Sequence, residues 1–157
     1  MKQHDEDFRV ECARQKPRLL VWDRRGRALP MYHTTHAVGF DIAVLHDVLI
    51  PPGQVVTLET GLIVKPPEGY WVMIAARSST QKRNLMLAGN VGIIDPDFCG
   101  PDDELSLPML NFGSVSVLVE AGTRLAQGIL VPLTQGEIVA FEPSGESRGG
   151  FGSTGAK

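Results

Sequence analysis

Val55-Val56-Thr57-Leu58-Glu59-Thr60-Gly61-Leu62-Ile63-Val64 runs into Pro66-Pro67-Glu68-Gly69, and Tyr70-Trp71-Val72-Met73-Ile74-Ala75-Ala76 follows at once. Apolar runs rich in β-branched and aromatic residues, divided by a Pro/Gly turn, read as strands. The pattern repeats in both directions. Leu19 to Trp22 stops at Asp23 to Gly26, and Phe40 to Ile50 breaks at His46-Asp47. Leu105 to Leu110 stops at Asn111-Phe112-Gly113, and Ser114 to Val119 sets valine at alternate positions. Gly128 to Leu133 and Glu137 to Phe141 complete the series. No stretch shows three turns of helical periodicity. Ser78 to Asn84 predicts one or two turns at most, with Ser78 or Ser79 as the N-cap. The predicted fold class is all-β, a jelly-roll-like barrel or sandwich.

The chain has 157 residues, 43% hydrophobic and 21% charged, which predicts one globular domain. Residues 1–16 read as a polar extension, 17–142 as the β-barrel domain, and 143–157 as a glycine-rich C-terminal arm. The net charge of -3 provides no basic field for polymeric nucleic acid. Two cysteines, Cys12 and Cys99, are too few for a disulfide framework or a four-ligand zinc site. They read as free thiols of a reducing compartment, with Cys99 a buried one. No apolar run has the roughly 18 residues of a membrane span, and Met1 to Lys16 lacks the apolar run of a signal peptide. A cytoplasmic protein without a membrane partner is expected.

Three segments carry chemistry. Gly92-Ile93-Ile94-Asp95-Pro96-Asp97-Phe98 puts a carboxylate directly after an apolar run, at a strand end. Such a group can take a proton from water; Asp-Pro is also an ordinary turn. Ala76-Arg77-Ser78-Ser79 joins a strand to a helical turn and combines a guanidinium with hydroxyls and free N–H groups. That suits an anion, or a simple cap with a surface arginine. Arg148-Gly149-Gly150-Phe151-Gly152-Ser153-Thr154-Gly155 offers unhindered backbone N–H groups, two hydroxyls and one aromatic ring. It reads either as a phosphate cradle or as a flexible tail. His33 and His36 lie three apart in a loop without further ligands and do not read as a metal site. Asp102-Asp103-Glu104 reads as a solvated turn, and Trp22, Tyr70 and Trp71 as core or interface residues.

Five segments occur in a telling order: Ala37-Val38-Gly39-Phe40-Asp41-Ile42, Ala76-Arg77-Ser78-Ser79, Gly92 to Phe98, Arg124-Leu125-Ala126-Gln127, and Arg148 to Gly155. Together they resemble the five motifs of the trimeric dUTPase family, over about residues 29–155. The resemblance implies a homotrimeric jelly-roll enzyme that hydrolyses dUTP to dUMP and pyrophosphate with Mg2+ held mainly by substrate phosphates and water. It implies active sites between subunits and a C-terminal arm that closes over the nucleotide. Asp95 becomes the catalytic base that orients and deprotonates water. Arg77, Ser78, Ser79 and Gln127 become phosphate contacts, joined from the arm by Arg148, Gly152, Ser153 and Thr154. Phe151 would cover the base. A hairpin carrying Asn90, Gly92 and Ile94 would read the uracil edge, and Phe98, where the family usually has tyrosine, would lie under the deoxyribose. Asp41 and Arg124 would support the hydrogen-bond network.

Two other functions fit parts of the pattern. dCTP deaminase has this fold and a related Ile-Asp-Pro segment, but the Gly-Phe-Gly-Ser-Thr-Gly arm favours dUTPase. A nucleotide-sensing regulatory protein would need the binding residues, yet would have no use for a water-activating carboxylate.

Overall fold

The computed structural model of the chain describes residues 16–147. Eleven strands lie among them: β1 (Leu20–Asp23), β2 (Phe40–Ala43), β3 (Val48–Ile50), β4 (Val55–Glu59), β5 (Leu62–Lys65), β6 (Tyr70–Ala76), β7 (Leu85–Leu87), β8 (Val91–Ile94), β9 (Ser106–Asn111), β10 (Val117–Val119) and β11 (Arg124–Pro132). All pair antiparallel, in the orders β2-β11-β6-β8, β4-β9-β7, β1-β5 and β3-β10. Neighbours far apart in sequence, such as β2 and β11, are the crossovers of a jelly-roll-like fold.

The core follows the period-2 alternation of strands. Val72 and Ile74 of β6, Leu107 and Met109 of β9, and Leu58 of β4 point inward and are buried. They meet Phe40, Ile42, Leu85 and Leu125 in one cluster. Each such side chain contributes about 1.5–3 kcal/mol of burial. Gly128 belongs to this packing, because a Cβ there would overlap the ring of Phe40.

Several boundaries depart from the sequence expectation. The run Val55 to Val64 is two strands, because Gly61 turns the chain with φ +74°. A Cβ at Gly61 would also lie 2.9 Å from Arg27 Nη2. β11 begins at Arg124, four residues before the predicted start. The expected helical turn is one 3-10 turn, Gln81–Arg83, capped by Thr80 rather than by Ser78 or Ser79. The Thr80 hydroxyl donates to the Leu125 carbonyl at 2.6 Å, so it ties the turn to β11. Glu137 to Phe141 forms no strand among the described residues. Its apolar pattern suits a ladder, but it pairs with no described strand, and Ile138 and Phe141 stand 100% and 81% exposed. Trp22 is exposed and Cys99 is only half-buried.

The expected solvated turn at Asp102 to Glu104 is a structural one. Glu104 Oε1 accepts the backbone N–H groups of Thr60 and Gly61 at 3.0 and 2.6 Å. Its other oxygen pairs with Arg24 at 3.2 Å. Asp103 accepts from the Gly100 N–H at 2.6 Å. Two donors of the β4–β5 turn are therefore satisfied from a loop more than forty positions away.

Candidate active site

The four-stranded sheet carries the site on its outer face. Asp41 of β2 lies opposite Gln127 of β11, and Gln127 lies opposite Ala75 of β6. Cross-strand partners share a face, so Asp41 and Gln127 project together. Arg77 follows directly on β6, its N–H held by the Leu125 carbonyl at 3.0 Å. Strict alternation from Gln127 would turn Arg124 inward. A register shift between Arg124 and Ala126 prevents that. Such a bulge re-aims a side chain: Leu125 and Ala126 are both buried, and Arg124 comes out beside Gln127.

These residues enclose a cavity of about 430 Å³, lined by Asp41, Arg77, Ser78, Arg124, Gln127 and His33 among others. Asp41 organises it. Arg77 Nε lies 3.0 Å from Asp41 Oδ1, and Arg124 Nη1 lies 3.0 Å from Oδ2. Arg77 Nη1 also donates to the Arg124 carbonyl at 3.3 Å. Two guanidiniums on one carboxylate leave a surplus positive charge facing the cavity, with the Ser78 hydroxyl and Gln127 amide beside it. That suits a phosphate-bearing ligand. Gly39 makes room for the Gln127 side chain, since a Cβ there would lie 3.0 Å from its Oε1. Ser79 is exposed one position beyond Ser78.

His33 is the wall residue that sequence reasoning missed. Its Nε2 lies 2.6 Å from Arg124 Nη1 and 3.0 Å from Asp41 Oδ2. Weighed only as a metal ligand beside His36, it carried no signal, because the course of the loop before β2 sets its position.

Asp95 and Phe98 follow β8 at the other end of the sheet. β8 pairs with β6 so that Ile94 faces Val72. Asp95, the next residue, is therefore level with the start of β6, six positions from Arg77. At about 3.3 Å per residue the two are about 20 Å apart along the strand. The structure does not bring Asp95 to the Arg77 cavity within one chain. Asp95 is exposed, and its carbonyl accepts the Phe98 N–H at 3.1 Å, so the segment is also a turn. Phe98 is 40% exposed.

Between β7 and β8 the chain turns at Asn90, with φ 64°, a conformation asparagine tolerates better than most residues. Gly92 faces Ile74, whose Cβ would lie 3.1 Å from a Cβ at Gly92. A small cavity of about 110 Å³ lies against this hairpin, with Gly89, Gly92, Ile94, Ser106 and Pro108 in its wall. The predicted contacts Arg148, Phe151, Gly152, Ser153 and Thr154 lie outside the described residues.

Comparison with known proteins places these features in a wider set. A family model described as dUTPase matches residues 26–155. The deoxyuridine 5'-triphosphate nucleotidohydrolase of Hydrogenobaculum sp. (strain Y04AAS1) is 38% identical over 139 residues, covering 85% of this chain and 94% of that protein. That of Desulfitobacterium hafniense (strain Y51) is 38% identical over 145 residues, covering 87% and 94%. Among solved structures, the dUTPase from Streptococcus mutans superposes with a TM-score of 0.67 at 32% identity, over 69% of this chain and 88% of that one. The dUTPase of Staphylococcus bacteriophage 80alpha, solved with dUpNHpp, gives a TM-score of 0.76 over 88% of this chain and 99% of that one. At 22% identity it speaks for the fold alone.

Proposed function

The chain belongs to the dUTPase family, and from that premise we infer that it is a hydrolase converting dUTP to dUMP and pyrophosphate. The observation that carries the reading is the cavity walled by Arg77, Ser78, Arg124 and Gln127, an anion site on a family member's sheet. The names of its relatives favour triphosphate hydrolysis over deamination.

In this reading the triphosphate lies against Arg77, Ser78, Ser79 and Gln127, while Asp41 holds Arg77 and Arg124 in register and the Arg124 carbonyl supports Arg77. Asp95 accepts a proton from water as the water oxygen bonds to the α-phosphorus. The bond from that phosphorus to the bridging oxygen breaks, and pyrophosphate leaves with the electron pair. Uracil takes the hairpin cavity, where backbone groups of Gly89 to Ile94 and the Asn90 amide meet its acceptor-donor-acceptor edge. A cytosine edge would leave those groups unpaired, and a buried unpaired polar group discriminates strongly. The ring of Phe98 lies against the deoxyribose and offers a 2′-hydroxyl no partner. Phe151 covers the base, and Arg148, Gly152, Ser153 and Thr154 reach the outer phosphates; the family match includes these positions.

Among the described residues no three His, Cys, Asp or Glu side chains gather as a metal-binding group. We assign Mg2+ to the substrate's own phosphate oxygens and water. When bound there it neutralises phosphate charge.

The separation of Asp95 from Arg77 supports sites built from more than one copy, and we propose a homotrimer. Ile93 and Val91 of β8 lie exposed on the same face as Met73 and Ile129, an apolar surface suited to another copy. The unpaired segment at Ile138 and Phe141 points the same way. The compartment assigned is the cytoplasm, from the nucleotide substrate and the free thiol of Cys99.

Incubation with each dNTP and with UTP, in magnesium, tests the function. Pyrophosphate and dUMP from dUTP alone are expected. Ammonia from dCTP, or nucleotide binding without turnover, would replace this reading with a deaminase or a nucleotide sensor.

A further inference from the structure

We propose that His33 is a proton-linked positioning residue, whose imidazole sets whether Arg124 is held against the wall of the cavity or turned toward bound phosphates. The proposal rests on the triphosphate occupying that cavity.

Three polar atoms crowd together at the mouth of the site. Arg124 Nη1 lies 2.6 Å from His33 Nε2 and 3.0 Å from Asp41 Oδ2. His33 Nε2 itself lies 3.0 Å from Asp41 Oδ2. A guanidinium only donates. The contact with Arg124 therefore requires a lone pair on Nε2, with the ring proton on Nδ1. The same lone pair then faces a carboxylate oxygen, a repulsive contact. Protonation of Nε2 reverses both relations: Nε2–H donates to Asp41 Oδ2 and no longer accepts from Arg124. One proton decides which neighbour holds Asp41 Oδ2.

Among the described residues the charged groups facing the imidazole are Asp41 from β2, Arg124 from β11 and, across Asp41, Arg77 from the end of β6, with Lys16 in the wall of the neighbouring cavity that His33 also lines. With a neutral ring the first three sum to +1. A triphosphate entering the cavity brings several negative charges beside Nε2 and favours the imidazolium. The ring then takes over Asp41 Oδ2. Arg124, at 45% side-chain exposure, is freed to turn its guanidinium to the phosphates. Binding thus takes up a proton at the ring.

Two substitutions separate this from a packing role. His33→Gln keeps an acceptor for Arg124 but does not titrate, whereas His33→Ala removes both properties. Between about pH 8 and about pH 6 the parent KM for dUTP should fall by up to about tenfold relative to His33→Gln, the ratio that one pKa unit of linkage yields. Comparing the two at each pH removes the titration of the substrate's own terminal phosphate. The ratio of kcat values should not follow this trend. At about pH 8, His33→Gln should bind nearly as the parent does and His33→Ala more weakly.

Calorimetry with inorganic tripolyphosphate, in two buffers of different ionisation enthalpy, counts the protons directly on the full chain. Greater proton uptake by the parent than by His33→Gln supports the coupling. Equal uptake, parallel KM profiles, or no binding of tripolyphosphate overturns it. If the parent turns over no dUTP, the functional reading fails separately, since the tripolyphosphate measurement needs no turnover.

Discussion

Asp95 is exposed at the end of β8, and its side chain has no hydrogen-bond or ion-pair partner among the described residues. Its replacement should therefore spare the fold. Asp95→Asn is expected to lower kcat by roughly 10²–10⁴-fold, the contribution of a positioned general base, while dUTP still binds and the melting temperature holds. Steady-state kinetics beside a melt would check this; near-normal turnover would remove Asp95 from its role. Asp23 is the opposite kind of carboxylate, buried and fully engaged. Burial pushes its carboxyl up, but the Arg27 side chain, the Arg25 and Arg27 N–H groups and the Arg27 charge together hold it below its ordinary 3.8. The contacts are short: Arg25 N at 2.8 Å, Arg27 Nε at 2.9 Å, and Arg27 Nη2 at 2.7 Å. A depressed folded pKa means that the unfolded chain binds the proton more readily. The stabilisation is complete above the ordinary carboxylate range and is lost as pH falls through the folded value. Asp23→Asn should cost about 1–3 kcal/mol near neutral pH, as expected for a hydrogen-bonded charge. Urea denaturation at neutral and acid pH should show that cost shrinking below about pH 4.

β11 is the element on which both packing and chemistry depend. It pairs with β2 on one side and β6 on the other, and its bulge turns Arg124 into the cavity while Leu125 and Ala126 stay buried. The Leu125 carbonyl receives both the Arg77 N–H and the Thr80 hydroxyl, so the Arg77-Ser78 segment is fixed to the same strand. Next to the bulge, Gly128 leaves room for the Phe40 ring, which in turn meets Tyr32 edge-on at 6.0 Å. A methyl there has no soft neighbour to displace, because the ring is enclosed by the core. Gly128→Ala should destabilise by roughly 1–3 kcal/mol, the usual cost of overpacking. A drop in melting temperature together with weaker triphosphate binding is expected, because shifting Phe40 moves Asp41 beside it. An unchanged melting temperature would mean that the core yields at this point.

The two halves of the proposed site make assembly a functional requirement rather than an accessory. Arg77→Ala and Asp95→Asn chains should each be nearly inactive alone. Co-expressed, they should form mixed oligomers in which some sites pair an intact Arg77 from one copy with an intact Asp95 from another. Recovery of a sizeable fraction of parental turnover is expected; none would show that both residues must come from the same chain. The C-terminal arm acts at the same scale. A chain ending at Ser147 retains every described strand, so it should fold and associate as the parent does. It should lose most of its turnover, since the proposed closure over the substrate would exclude water and fix the reacting phosphorus. kcat/KM beside the melting temperature and the oligomeric mass decides the matter. Equal activity would make the arm a linker, and loss of folding would make it structural.

The sequence by itself determined the all-β class, because strand periodicity and Pro/Gly punctuation are local properties, written plainly in runs such as Tyr70 to Ala76. It also determined the family, through the order of short segments from Ala37 to Gly155. It marked Asp41, Arg77, Ser78, Arg124 and Gln127, which the fold collects into one cavity. What it left open depends on residues distant along the chain. The split at Gly61 depends on Arg27 and on the reach of Glu104. Arg124 faces outward because of a pairing irregularity with β2. Glu137 to Phe141 has the composition of a strand but pairs with none of the described strands, and a strand exists only as half of a ladder. His33 reaches Asp41 and Arg124 through the course of an irregular loop. Asp95 stands a strand's length from Arg77 because β8 runs antiparallel to β6 and ends level with its start. Local propensity and motif order are encoded residue by residue, whereas register, bulges and loop paths are settled only when separated segments compete for the same hydrogen bonds and the same space.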